Sequence, residues 1–177
     1  MIIMFTPKDL AVFFYEGDFK RSQERDIIQS VWKNDNDSIP VIYREDLALF
    51  IHDVYLELSK LDDTLDDVEE LKSLKQIADI SISLDGGCKE TGIIDEYFRN
   101  IKLVLLYVPG KKLRRTKLKN LLKRFGYQRR PEHLVNYIKA LISALGLNTY
   151  SKDNVPCDIT QVCVDDMIII RLAQSDK

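Results

Sequence analysis

Residues 99–130 read RNIKLVLLYVPGKKLRRTKLKNLLKRFGYQRR. Twelve of these side chains are basic: Arg99, Lys102, Lys111, Lys112, Arg114, Arg115, Lys117, Lys119, Lys123, Arg124, Arg129 and Arg130. No Asp or Glu interrupts them between Tyr97 and Pro131. Structural punctuation is written into the same stretch. Ile101–Val108 is an unbroken apolar run of strand length, closed by Pro109-Gly110. Arg115–Phe125 then sets Leu118, Leu121, Leu122 and Phe125 on one helical stripe, with Gly126 where a C-terminal cap belongs.

Downstream, Pro131–Leu145 predicts a second helix with Leu134, Tyr137, Ile138, Leu141, Ile142 and Leu145 inward. Pro131 suits its first turn and Gly146 its end. Its outward side then carries Glu132, His133, Asn136, Lys139 and Ser143. In the tail, alternation at Ile159–Val164, a turn-like Asp165-Asp166 and the apolar Met167–Leu172 predict a β-hairpin.

Upstream, Asp85-Gly86-Gly87 is the best boundary, giving an acidic helical unit over 1–85 and a basic unit over 86–177. Residues 92–100 are compatible with a helix. Thr6-Pro7 marks a helix start, and the helix should stop at Gly17. A second helix is expected over Lys20–Lys33. Arg44–Leu61 and Thr64–Asp79 are strongly amphipathic, the latter with acids crowding its first turn as the macrodipole favours. The fold class expected is therefore α+β: a mostly helical N-terminal unit, then a C-terminal unit with a small antiparallel sheet.

Strand, helix, short connection, helix and hairpin is the element order of a winged helix. Over residues 101–172 the chain resembles the winged-helix branch of helix-turn-helix modules. That resemblance implies a second helix lying in the major groove, with the hairpin wing leaning on neighbouring backbone. Pro131–Leu145 would be that helix, with Asn136 and Lys139 facing base edges. Tyr150 and Lys152 would sit near the wing.

Charge sharpens the expectation. The chain of 177 residues has a formal net charge of only −2, yet residues 45–96 carry −11 and the basic run +12. A polar outer face on two amphipathic helices accounts for some lysines, not for twelve without an acid between them. Such a run is the electrostatic footprint of a surface that meets polyphosphate. The residues expected to contact nucleic acid, duplex DNA first, are Lys111, Lys112, Arg114, Arg115, Lys117, Lys119, Lys123, Arg124, Arg129, Arg130, Asn136, Lys139 and Lys152. The helix expected to read bases is less basic than the one before it, which favours backbone-dominated contact. The alternative is a protein-interaction adaptor, with the acidic helices of 44–79 docked on a basic partner or folded over the chain's own basic face.

Catalysis finds little support. Gly110-Lys111-Lys112 lacks the loop glycine and hydroxyl of a P-loop. His52 and His133 are isolated from each other and from any cysteine pair, so no metal spacing is present. Asp85, Glu90, Asp95 and Glu96 with Lys102 are the residues from which a nuclease-like site would have to be built, without a convincing strand frame. No enzyme, cofactor or metal is expected. Cys88, Cys157 and Cys163 fit reduced thiols and a cytoplasmic setting. No apolar run approaches the roughly 20 residues a bilayer span needs, and the N-terminus lacks the features of a signal peptide.

Overall fold

The computed structural model describes residues 5–17, 19–61 and 89–173, the side chains of 89–91 excepted. The chain divides into two compact units, Ile2–Lys89 and Glu90–Lys177. Among the described residues there are six α-helices and one three-stranded antiparallel sheet, an α+β protein.

In the N-terminal unit, α1 (Pro7–Gly17) starts on a reciprocal capping box. Thr6 donates through its backbone N–H (2.8 Å) and hydroxyl (2.7 Å) to the Asp9 carboxylate, and the Asp9 N–H donates back to Thr6 Oγ1 at 3.3 Å. This reciprocal bonding lets Asp9 be buried without an orphaned charge. The second helix, α2 (Arg21–Asn34), buries Ile27, Ile28 and Val31. Two short 3₁₀ turns, Asn36–Ser38 and Val41–Tyr43, lead to α3 (Leu47–Leu61). That helix begins three residues later than its apolar spacing predicts. Asp46 is its cap, accepting the Leu49 N–H at 2.9 Å, while Arg44 reaches back to the carbonyls of Ile39 and Asp37. Helices α1 and α3 pack together, and Phe13, Phe14, Phe50 and Val54 are buried. The helix expected over Thr64–Asp79 and the Asp85-Gly86-Gly87 turn lie outside the described residues.

The C-terminal unit runs α4 (Lys89–Tyr107), β1 (Arg114–Lys117), α5 (Leu118–Arg124), α6 (Glu132–Ala144), β2 (Leu147–Tyr150) and β3 (Met167–Leu172). The strand order is β1-β3-β2. Register sets Arg114 opposite Ile170 and Lys117 opposite Met167 on one side of β3, and Leu147 opposite Leu172 on the other. Central β3 is apolar throughout its middle because Ile168, Ile169 and Ile170 are all buried. Its extent matches the expected strand.

Three local expectations are corrected. Ile101–Val108 is not a strand; its residues through Tyr107 belong to α4, where Ile94, Phe98, Ile101 and Leu105 fall on one buried helical stripe. A short apolar run fits either state, and here it continues a helix already under way. Arg115–Phe125 is not helical throughout, because Arg115, Thr116 and Lys117 pair with Ile169, Ile168 and Met167, and the helix starts at Leu118. Ile159–Val164 forms turns, not a strand. The partner of β3 on that side is β2, reached across the long connection 151–166.

Helix α5 closes as its glycine predicts. Gly126 sits at φ +84°, and the Gly126 and Tyr127 N–H groups donate to the carbonyls of Lys123 and Leu122. These are the two bonds of a Schellman motif, which turns the chain towards α6.

Candidate nucleic-acid interface

β1 is the edge strand that carries the charge. It runs Arg114, Arg115, Thr116, Lys117, followed at once by α5, which has a buried stripe of Leu118, Leu121 and Leu122. Burying that stripe turns Lys119, Lys123 and Arg124 outward. Between strand and helix lies an open depression of about 620 Å³. Arg114, Arg115, Lys117, Lys123 and Arg124 line it, with Tyr97, Thr116 and Asn120 and no acidic side chain. Five like charges around one hollow make a concave region of positive potential.

One of the five is held in place. The Arg124 guanidinium lies 4.7 Å from the centre of the Tyr97 ring, which stands edge-on to Phe125 at 5.6 Å. A planar guanidinium stacked on an aromatic ring is already ordered, so it loses less freedom on engaging a phosphate. Among the described residues Arg114, Arg115, Lys123, Lys111, Lys112 and Arg129 enter no ion pair. Lys111, Lys112 and Arg129 are exposed but lie outside the depression.

The other expected contacts are drawn elsewhere. Lys119 pairs with Asp165 at 2.5 Å, holding that carboxyl below its ordinary range. Lys139, on the outer face of α6, pairs with Asp158 at 2.5 Å. That bond, with two from Thr160, lowers the Asp158 carboxyl to about 2. Arg130 is half-buried and donates to the carbonyls of Val162 (2.7 Å), Ile159 (3.3 Å) and Thr160, so it pins the turn at 159–162. Asn136 and Lys152 are exposed, and neither lines the basic depression. Arg99 and Lys102 are half-buried on α4 and already engaged. The sequence reading missed Tyr97, Thr116 and Asn120; Tyr97, the residue at which the acid-free run opens, was the available signal for the first.

The residues weighed for other functions are also tied locally. Asp53 accepts from Tyr43 at 2.9 Å and lies 2.9 Å from His52 Nδ1, and these bonds lower its carboxyl while burial and Asp53 raise the Tyr43 phenol. Glu57 pairs with Lys60. Asp46, Asp53 and Glu57 are thus engaged within the N-terminal unit. Asp95 accepts the Tyr137 hydroxyl at 2.5 Å, a bond joining α4 to α6. Among the described residues no three His, Cys, Asp or Glu side chains gather as a metal site requires. None of the described helices is long and apolar enough to cross a membrane.

No protein-family model, curated protein or solved structure matches the chain.

Proposed function

We propose that this protein binds nucleic acid, duplex DNA first, through the C-terminal unit, as a non-enzymatic binding protein or accessory subunit. The observation that carries the reading is the hollow between β1 and α5, with Arg114, Arg115, Lys117, Lys123 and Arg124 around it and no acid among its lining residues. Phosphates are the ligands that five such cations suit, and contact with phosphates fixes position without reading sequence. A winged-helix module is the fold reading that goes with it. Its support is the order helix, strand, helix, helix, strand, strand, with the last strand central in the sheet. Cytoplasmic residence also belongs to this reading; Cys157 and Cys163 are free thiols.

Anisotropy titration of the whole chain with labelled duplex DNA tests the proposal. Five phosphate contacts predict a log K against log salt slope of about −4 to −5. Reversing Arg114, Lys117, Lys123 and Arg124 to Glu should abolish binding at low salt. A flat salt dependence, or unchanged affinity in that variant, would overturn the proposal.

A further inference from the structure

The basic hollow has a geometry that a helix-in-groove reader would not need. Successive residues of a strand point to opposite faces of its sheet, yet all four residues of β1 line the one hollow. It therefore wraps the outer edge of the strand instead of lying on one face. The sheet order makes β1 terminal, paired only with β3, and among the described residues no backbone hydrogen bond reaches its far side. Terminal strands leave alternate N–H and C=O groups unpaired. The hollow thus offers backbone N–H donors between two rows of cations.

The opposite edge is closed. Tyr150 bridges to Pro156, Cys157 N–H donates to the Thr149 carbonyl at 3.0 Å, and Thr149 Oγ1 donates to the Cys157 carbonyl at 2.6 Å. The connection that closes it, residues 151–166, holds Asp153, Asp158, Asp165 and Asp166 against Lys152 alone. Two of those acids neutralise Lys139 on α6 and Lys119 on α5. The other polar side chains that α6 turns outward are Glu132, His133, Asn136 and Ser143, with no further lysine or arginine among them. A phosphate backbone approaching α6 and this connection would meet aspartates; one entering the hollow along β1 meets no acid among its lining residues, although Lys117 at the far end of the strand also borders Asp153, Asp165 and Asp166.

Resting on the nucleic-acid reading above, we infer that the ligand is one phosphodiester strand running along the open edge of β1. The strand lies between the β1 side chains and those of Lys123 and Arg124, and α6 with the 151–166 connection takes no part. Arg124, fixed on Tyr97, is the anchor at one end of the track. Binding in this mode reads neither sequence nor the major groove. A single strand presents the same phosphates as either strand of a duplex, so both bind.

The test uses the full chain with labelled single strands and duplexes, each in two unrelated sequences, at about 50 and 200 mM salt. The edge variant Arg114→Glu/Lys123→Glu alters two exposed residues. It should weaken every ligand by on the order of tenfold or more, and reduce the salt slope by about 2. The helix variant His133→Ala/Asn136→Ala and the exchange of sequence should each leave affinity within about twofold. Loss of binding in the helix variant with full binding in the edge variant, or binding confined to one duplex sequence, overturns the edge mode while leaving a nucleic-acid function standing. Absence of binding to any nucleic acid overturns both readings. If polyglutamate binds where nucleic acid does not, the edge belongs to an acidic peptide and the inference fails.

Discussion

Lys119 and Asp165, 46 positions apart in sequence, meet in an ion pair of 2.5 Å that fastens α5 to the end of the β2–β3 connection. The Lys119 backbone N–H makes the same link, donating to the Val164 carbonyl at 2.8 Å. The consequence is that a lysine of the basic run already has its anion, supplied by the chain itself.

Removing that anion should return Lys119 to the basic surface. Asp165→Asn is expected to raise nucleic-acid affinity about two- to fivefold at low salt and steepen the salt slope by roughly 0.9, the increment of one phosphate contact. Asp153→Asn makes the same change in net charge but frees no paired cation. Equal effects of the two substitutions would show that only total charge matters.

Asp158 predicts a response to acid. Its carboxyl is ordinarily near 3.8 and is held at about 2 in the folded chain, first by Lys139 and then by Thr160. A lowered folded value means that the unfolded chain takes up the proton first. The contribution to stability is therefore full above about pH 4 and is lost as pH falls through about 2. Lys139→Met should move the titration of the Asp158 carboxyl upward, as followed by its NMR shift. An unmoved titration would remove Lys139 as the main cause.

Arg130 should behave as a structural side chain. Arg130→Ala is expected to speed amide exchange across 159–162, where three carbonyls lose their donor. Arg130→Lys should rescue this only in part, because one ammonium cannot reproduce the guanidinium fork. Unchanged exchange with strongly weakened nucleic-acid binding would instead return Arg130 to the interface.

Gly126→Ala isolates a backbone effect. A Cβ at this position meets nothing within 4 Å, so no clash confuses the result, but φ +84° is unfavourable for an L-residue. The expected loss is about 1–2 kcal/mol of stability, read by denaturant unfolding, with Gly126→Asn less affected.

Ile138→Ala tests the packing of α6 in the C-terminal core. The side chain is 0% exposed on the inner face of α6, and its truncation should destabilise by about 2–5 kcal/mol. A loss under about 1 kcal/mol would mean that the site can collapse around the vacancy.

The sequence by itself determined what depends on neighbouring residues. Thr6-Pro7 and Gly17 bounded α1, while Gly126 and Gly146 ended α5 and α6, because caps and left-handed turns are local demands. The buried stripe of α5 and the strand Met167–Leu172 followed from apolar spacing, and the charge of the 99–130 run was plain from composition. Tertiary structure decided whatever needed a distant partner. Arg114–Lys117 is a strand because β3, over fifty residues later, supplies its hydrogen bonds, and nothing in RRTK states that preference. Ile101–Tyr107 is helical because it continues α4, although its apolar run alone suits a buried strand equally well. Which lysines stay unpaired was likewise beyond the local pattern. Lys119 and Lys123 look alike in sequence, but only one lies within reach of Asp165, because folding brings remote charges to hydrogen-bonding distance irrespective of their separation along the chain.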